Sequence, residues 1–369
     1  MTEAERYIES LELMGMRFGL DRMRSLLAAL GSPEERFDAI HVVGSNGKSS
    51  TVRFCEALLL AEGVATGAYL SPHLTRFAER IRVGGETVSA DAYESAVVAV
   101  RSAVGEHVTQ FEALTGAAFR AFADAGVEVA VVEAGLGGRL DATNVLPRSR
   151  VQVLTNVSLE HTELLGDTRQ AIAREKLAVV PAGGVVVMGE PGWEDLVPQA
   201  AAVRIVSHHG TYQDQNRAVA VAAVEALLGR PVDPETIQEL AVAGRLEVRD
   251  EGRLEIWDGA HNPAGMQRLV AELPPLLGGR TAVAVFGAQR DKDVGTMLAL
   301  LHTVCPVVVA TASSHRGSLP ADELARLTGG IAEADPHAAL QRAHELAGDD
   351  GVVVVCGSLY LLHDLSIAV

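Results

Sequence analysis

The sequence is poor in cysteine and aromatic residues and has no long apolar run. Its three cysteines, Cys55, Cys305 and Cys356, lie far apart in helix-like or strand-like patterns, which indicates buried, inert thiols rather than a disulfide framework or a metal site. No stretch approaches the roughly 20 apolar residues of a membrane span. The acidic N-terminus lacks the basic-then-apolar order of a signal peptide. We therefore expect a soluble, cytoplasmic protein with no membrane partner.

Positive charge is also scarce. The 369 residues include 31 Lys and Arg against 48 Asp and Glu, which gives a formal net charge of −17. Such a charge disfavours nonspecific binding to nucleic acid, so we expect no nucleic-acid partner. An anionic small molecule remains compatible with it, because local basic residues and a bound metal ion can reverse the sign within one cleft. The length and the 48% hydrophobic content allow two domains with sizeable cores.

A glycine-punctuated loop follows the first apolar run. Residues 39–51 read AIHVVGSNGKSST, which is a strand, a loop, then Lys48 with hydroxyls behind it and a helical pattern over 51–62. Glycines let backbone N–H groups turn inward, the helix N-terminus adds a positive dipole end, and the lysine adds a full charge. We therefore predict nucleoside triphosphate binding. The strict spacing needs glycine at Val42, however, so an ordinary strand-to-helix turn is the alternative.

Apolar runs alternate with helical patterns along most of the chain, as is typical of parallel sheets covered on both faces. Gly84-Gly85 between short alternating runs predicts a hairpin, and residues 234–242 predict a helix. After Gly244 the strand–helix alternation restarts. We predict an α/β protein with a doubly wound, phosphate-loop ATPase domain over residues 1–246 and a smaller Rossmann-like α/β domain over 247–369.

Polar side chains follow the other predicted strands of the first domain. Ser71, Glu133 and His161 each come after an apolar run, and ligand sites in such sheets gather beyond the carboxyl ends of strands. A buried carboxylate needs a partner or a metal ion, so Glu133 facing Lys48 across Mg²⁺ is one interpretation. The alternatives are a capping or turn role for Ser71, a salt bridge for Glu133 and a simple hydrogen bond for His161.

Two further segments are ambiguous. Lys176 lies within a helical pattern and reads as a surface lysine with no assigned role. Asp258 and His261 follow a strand and are close enough in sequence to meet a phosphate or ribose together. Asn262 before Pro263 is good helix-capping chemistry, but capping leaves Asp258 and His261 unexplained.

Taken together, these segments resemble the folylpolyglutamate synthase/dihydrofolate synthase family, within the larger group of Mur-type ATP-dependent ligases. The resemblance covers nearly the whole chain in order, and its most specific match is EAGLGGRLDATN over residues 133–144. Other matches are HVVGSNGKS (41–49), LSPHL (70–74), DGAHNP (258–263) and CGSLY (356–360). The sequence departs from the family pattern at Ser49, at Glu160 in place of an aspartate, and in a shortened stretch between Gly189 and Asn216.

The resemblance implies an ATP- and Mg²⁺-dependent ligase that joins L-glutamate to dihydropteroate, to folates or to both through an acyl phosphate, and we expect it to act as a monomer. A ligase restricted to folate polyglutamylation, or one for a non-folate acid, is the alternative. A regulatory nucleotide-binding protein would have lost Lys48, Glu133 or His161, and all three are present. A kinase would not need the segment 258–263.

The resemblance also implies roles for individual residues. The implied catalytic residues are Lys48, Lys176 and His261. The implied ATP-binding residues are Gly44, Ser45, Asn46, Gly47, Lys48, Ser49, Ser50, Asn216, Arg245 and Asp258. The implied substrate-binding residues are Phe18, Gly19, Leu20, Asp21, Phe111, Glu112, Leu140, Asp141 and Ala142. The implied Mg²⁺ ligands are Ser71, Glu133, His161 and Lys176, the last as a carbamate that would replace a cation by a carboxylate-like ligand.

In such ligases the second domain must close over the nucleotide and exclude water from the acyl phosphate. We therefore expect a fragment of residues 1–243 to show no ligation, measured as phosphate release with ATP, glutamate and the acid substrate. The full-length chain is the control, and turnover by the fragment alone would contradict the prediction.

Overall fold

The computed structural model describes residues 2–11, 19–103, 108–199, 201–250 and 252–366. The chain divides into two compact units, Met1–Leu240 and Ala241–Val369. Each unit holds one parallel-rich sheet with helices packed against it, so the predicted α/β class is confirmed. The predicted domain boundary, between residues 246 and 247, lies a few residues after the division between these two units and stays a prediction. Among the helices of the described ranges, none is both long and apolar enough to cross a membrane.

The sheet of the first unit has eight strands in the described residues. They are β1 (Asp38–Val43), β2 (Thr66–Tyr69), β3 (Ile81–Val83), β4 (Glu86–Thr87), β5 (Val129–Glu133), β6 (Ser149–Leu154), β7 (Val185–Met188) and β8 (Ala202–Ile205). Their order across the sheet is β4-β3-β2-β5-β1-β6-β7-β8. Neighbours run parallel except β2–β3 and β3–β4, and the β3–β4 pair is the hairpin that Gly84-Gly85 predicts.

Helices pack on both faces of this sheet. They are α1 (Glu3–Leu11), α2 (Asp21–Ala29), α3 (Lys48–Ala61), α4 (Ala90–Ala103), α5 (Gln110–Asp124), α6 (Thr162–Leu165), α7 (Arg169–Leu177) and α8 (Tyr212–Leu228). Ala130 and Val132 of β5 belong to one apolar cluster with Phe119 and Phe122 of α5, whereas Val131 points to the opposite face because side chains alternate along a strand. Both faces of the sheet centre are therefore buried, and the central strands are continuous apolar runs.

The second unit repeats this plan on a smaller scale. Its strands are β9 (Glu247–Asp250), β10 (Leu254–Trp257), β11 (Ala282–Phe286), β12 (Val307–Ala310), β13 (Ile331–Ala332) and β14 (Val352–Cys356), in the order β13-β12-β11-β14-β10-β9. Only the β9–β10 pair of these is antiparallel. Its helices are α9 (Pro263–Leu277), α10 (Val294–Leu301), α11 (Ala321–Thr328), α12 (Pro336–Ala347) and α13 (Leu359–Ser366).

Sequence patterns missed the short and marginal elements. The predicted helix over 234–242 is only a 3₁₀ turn, Pro234–Ile237, so that prediction was wrong. Strands β8 and β9 were not predicted, because a strand at a sheet edge pairs on one side only and needs no apolar run. All four side chains of β8 are exposed, and β9 reads Glu-Val-Arg-Asp. The three cysteines are buried free thiols, as predicted.

Phe119 belongs to the apolar cluster between β5 and α5, where it is fully buried and packs edge-to-face on Phe37 at 5.7 Å between ring centroids. Replacing Phe119 by alanine should lower the free energy of unfolding of this unit by about 3–5 kcal/mol, because the cavity cannot fully collapse. Denaturant titration followed by circular dichroism measures the loss. Val98→Ala on the exposed side of α4 is the control, and equal losses for both variants would contradict the prediction.

Candidate functional site

The loop between β1 and α3 is shaped by two glycines that no other residue fits. Gly44 has φ +150°, and a Cβ atom there would lie 1.8 Å from Thr155 Oγ1. Gly47 has φ +84°, and a Cβ atom there would lie 2.4 Å from Asn216 Oδ1. Helix α3 begins directly afterwards at Lys48, three residues earlier than predicted, because Gly47 supplies the left-handed turn that starts it. The positive end of this helix therefore faces the loop.

Hydrogen bonds from the segment after β6 hold this loop in place. Thr155 Oγ1 donates to the Asn46 carbonyl at 2.7 Å, and Asn156 Nδ2 donates to the same oxygen at 2.8 Å. Asn156 Oδ1 in turn accepts the Asn46 N–H at 3.1 Å. Thr155 and Asn156 were not among the predicted site residues, although their position at the carboxyl end of a parallel strand is a usable signal.

Lys48 lies over the loop that precedes it. Its Nζ donates to the carbonyl oxygens of Gly44 at 3.0 Å and Ser45 at 3.3 Å. The first turn of α3 also carries the Ser49 and Ser50 hydroxyls, and Ser50 Oγ is buried without a hydrogen-bond partner in the part of the chain that the structure describes. The loop thus combines a full positive charge, a helix N-terminus and hydroxyl groups, a combination suited to a phosphate chain.

Glu133 ends β5 directly beside this turn and is only 1% exposed. One carboxylate oxygen accepts a hydrogen bond from Ser49 Oγ at 3.1 Å, and the other accepts the Ser71 N–H at 3.1 Å. The structure therefore brings Glu133, Ser49 and Ser71 together at the carboxyl ends of two neighbouring strands, β2 and β5. Carboxylate and hydroxyl oxygens are the hard ligands that Mg²⁺ prefers, so this donor set fits the ion.

Lys176 is not the surface lysine that its isolated pattern suggested. It is 2% exposed, and its Nζ donates to the Gly44 carbonyl at 2.9 Å and to Glu160 at 2.8 Å. The period of α7 carries the missed signal, because Ile172, Ala173 and Leu177 mark the buried face and Lys176 lies on it. The structure thus places Lys176, for which the resemblance implies a role in the site, at the base of the phosphate loop. Its carbamylation stays a prediction.

Electrostatics tie Lys176 and Glu160 together. Burial lowers the pKa of Lys176, and the neighbouring Glu160 carboxylate opposes that shift. Burial works against ionisation of Glu160, but Lys176 and Lys48 outweigh it and lower the Glu160 pKa to about 2. Glu160 is therefore an anion at neutral pH that balances the positive charge below the loop.

His161, the next residue, adopts a left-handed conformation with φ +46° and precedes α6. Within the described ranges, no three His, Cys, Asp or Glu side chains converge as a metal-binding group. A divalent ion at this site would therefore depend on hydroxyl and phosphate oxygens as well as on Glu133. The predicted set of Ser71, Glu133, His161 and Lys176 stays a prediction, of which the structure joins Ser71 to Glu133.

The glycine-rich loop after β5 approaches two neighbouring segments closely. A Cβ atom on Gly135 would lie 2.6 Å from the Phe111 ring, and one on Gly138 would lie 2.6 Å from the Lys176 carbonyl oxygen. Of the predicted substrate-binding residues in this loop, Leu140 is 41% exposed, whereas Asp141 and Ala142 are buried. The loop therefore joins the Phe111 region to the base of the phosphate loop.

The remaining predicted substrate-binding residues lie at the start of two helices. Glu112 is buried, caps α5 by accepting the Thr109 N–H at 2.8 Å, and pairs with Arg22 at 3.1 Å. This ion pair ties the segment of Gly19, Leu20 and Asp21, where α2 begins, to the start of α5. Phe18 lies outside the described residues.

In the second unit, the Asp258 carboxylate organises the segment around it. It accepts the Leu246 N–H at 2.7 Å and the Ala260 N–H at 2.8 Å, and it is buried. Arg245 approaches the same segment, since a Cβ atom on Gly259 would lie 2.3 Å from Arg245 Nη1. His261 Nδ1 donates to the Gly259 carbonyl at 2.9 Å. The structure thus gathers Arg245, Asp258 and His261, while Asn262 caps α9 as its pattern suggested.

Comparison with known proteins gives concordant matches. The Mur ligase middle domain model matches residues 42–190, and the Mur ligase, glutamate ligase domain model matches residues 244–359. The dihydrofolate synthase/folylpolyglutamate synthase of Escherichia coli is 31% identical over 96% of this chain and 92% of its own length. The probable bifunctional folylpolyglutamate synthase/dihydropteroate synthase of Haloferax volcanii is 34% identical, and the chain spans 49% of its length.

Solved structures agree over the full chain. E. coli FolC in complex with DHPP and ADP superposes with a TM-score of 0.91 at 28% identity, covering 99% of this chain and 97% of that one. A bifunctional folylpolyglutamate synthase/dihydrofolate synthase with Mn, AMPPNP and L-glutamate bound superposes with a TM-score of 0.88 at 29% identity and the same coverage.

The Lys176–Glu160 contact allows a direct test of the charge on Lys176. Glu160→Gln would leave a buried ammonium without its counter-charge, so the free energy of unfolding should fall by about 3–5 kcal/mol. Asp124→Asn, which breaks the exposed Arg120–Asp124 pair, is the matched control and should cost less than about 1 kcal/mol. Denaturant titration measures both. A Glu160→Gln variant as stable as the control would contradict an ammonium at Lys176 and favour the carbamate.

Proposed function

The chain belongs to the dihydrofolate synthase/folylpolyglutamate synthase family of Mur-type ligases, and we propose that it joins L-glutamate to dihydropteroate, to folates or to both while ATP is converted to ADP and phosphate. The observation that carries the proposal is the glycine loop at the start of α3 with buried Glu133 beside its first turn. Relatives with the same fold bind ADP, DHPP, AMPPNP, Mn and L-glutamate.

In the proposed reaction the ATP phosphates lie along residues 44–50. Backbone N–H groups of the loop, the N-terminus of α3 and the Lys48 ammonium offset the charge that the transferring phosphoryl group carries. We propose that Asn216, which contacts Gly47 at the edge of the loop, and Arg245 and Asp258 of the second unit contribute to the nucleotide site.

Glu133 and Ser71 fit a divalent ion, and we propose them as ligands together with His161. Lys176 would join them only in a carbamylated state, which would replace the ammonium that pairs with Glu160 in this structure. Mg²⁺, when bound, would supply positive charge that offsets the negative charges of the triphosphate and of the acid substrate. The chain's own contribution is to fix the Glu133 carboxylate before the substrates arrive, since both of its oxygens already accept hydrogen bonds.

The carboxylate of the acid substrate attacks the γ-phosphorus of ATP, which forms an acyl phosphate and releases ADP. The amine of L-glutamate then attacks the acyl carbon, and the tetrahedral intermediate collapses with loss of phosphate to give the amide. The segments around residues 19–21, 111–112 and 140–142 are proposed to hold the pterin part of the acid, which the exposed Leu140 and the Phe111 ring support. His261 is proposed to act at the glutamate end.

A ligase restricted to folate polyglutamylation, or to a non-folate acid, is the second candidate. The shortened stretch between Gly189 and Asn216, where β8 leaves all its side chains exposed, favours a different outer wall and thus a different substrate range. The cytoplasmic location and the monomeric state stay predictions.

Purified protein with ATP, Mg²⁺ and L-glutamate should release phosphate when dihydropteroate or tetrahydrofolate is added. Lys48→Ala should lower kcat/KM by about 10³-fold or more, because it removes the charge aimed at the transferring phosphoryl group. Arg101→Ala on α4 is an exposed control that should leave the rate unchanged. Release with tetrahydrofolate alone would select the restricted ligase, and no release with any acid would contradict the proposed function.

A further inference from the structure

A chain of three buried side chains links the central strand of the first sheet to the glycine-rich loop after β5. His41 Nε2 lies 2.7 Å from Thr143 Oγ1, and the Thr143 hydroxyl donates to the Asp141 carboxylate. A hydroxyl has a single proton, and Thr143 gives it to Asp141, so His41 is the donor in the first bond. The hydrogen bonds therefore run in one direction, from His41 through Thr143 to Asp141.

The Asp141 carboxylate is the centre of the loop. It accepts the Leu136 N–H at 2.8 Å and the Thr143 N–H at 3.0 Å in addition to the Thr143 hydroxyl. Burial raises the pKa of Asp141, and these hydrogen bonds oppose the rise. Burial lowers the pKa of His41 to about 4, so the imidazole is neutral at pH 7 and carries one ring proton. The three hydrogen-bonded side chains are thus matched, since the neutral His41 imidazole donates at one end and the Asp141 carboxylate accepts at the other.

The hydrogen bonds from His41 through Thr143 to Asp141 connect two parts of the site. His41 lies on β1, two residues before the strand ends at Val43 and the phosphate loop begins. The other end holds a loop that starts at Glu133 and carries Leu140 at its exposed side. Neither Thr143 nor His41 is exposed, so neither is placed to touch a substrate.

We propose that Thr143 and His41 are positioning residues that hold the 134–144 loop in register with the phosphate loop. The inference rests on the proposed function, because the loop matters through the acid substrate that it would help to bind. Their hydroxyl and imidazole act through Asp141, which fixes the loop backbone at Leu136 and Thr143, and they take no part in the chemistry.

The test compares Thr143→Val, which removes the hydroxyl at nearly constant volume, with Thr143→Ser, which keeps it. Thr143→Val should raise the KM for the acid substrate about tenfold and leave the KM for ATP within about twofold, as expected for one buried hydrogen bond to a charged group. Thr143→Ser, which keeps the hydroxyl, should leave the KM for the acid substrate unchanged. His41→Gln is the second variant and should move the same KM in the same direction.

Thr66→Val is the matched control. Thr66 is also a buried threonine, and its hydroxyl donates to the Val64 carbonyl at 2.8 Å at the opposite, amino end of β2. The same chemical change there should leave both KM values unchanged. An unaltered KM in Thr143→Val, or an equal loss in Thr143→Ser, would overturn the proposal.

Amide hydrogen exchange tests the positioning role without relying on turnover. In Thr143→Val, the Leu136 and Thr143 amides should exchange faster than in the unaltered chain, while the β5 amides keep their protection. Unchanged exchange at Leu136 and Thr143 would overturn the proposal. If no acid substrate is ligated, the proposed function fails on its own, and the exchange result still decides whether the side-chain hydrogen bonds hold the loop.

Discussion

The geometry of the first unit depends on how a buried cation is held beneath the phosphate loop. Lys176 projects from α7 to the Gly44 carbonyl, and Glu160 supplies its counter-charge. An unpaired ammonium in the interior costs several kcal/mol, so these partners must stay within reach. This requirement fixes three segments that are distant in sequence against one another: the loop after β1, the segment after β6 and helix α7. The glycine-rich loop after β5 also passes close to α7, since a Cβ atom on Gly138 would lie 2.6 Å from the Lys176 carbonyl oxygen.

The parts of this arrangement that follow from local order could be predicted from sequence. The central strands of the two sheets are continuous apolar runs that alternate with helices, and this alternation predicts the α/β class. The phosphate loop could be recognised despite Val42, because the glycines, the lysine and the helix that follows express one physical requirement. Polar residues at the carboxyl ends of β2 and β5 do meet, as the parallel topology demands.

The remainder depends on contacts that no local pattern carries. Lys176 was misjudged in isolation, since only the buried neighbours on its face of α7 show that it points inward. Asp141 and Glu112 are polar residues in segments that suggest ligand binding, yet their carboxylates serve the protein's own N–H groups and Arg22. Edge strands such as β8 and β9 were missed because their side chains are largely solvated and carry no apolar signal.

Gly135 and Gly138, two of the tightly packed glycines in the loop after β5, differ in the atoms that face them. Gly135 faces the ring of Phe111, a side chain that a smaller residue could replace, whereas Gly138 faces the main-chain oxygens of Lys176 and Glu175, which no substitution removes. Among related proteins, residue 135 can therefore change when residue 111 is replaced by a smaller one. No such compensating substitution exists for residue 138, because the atoms that face it belong to the backbone.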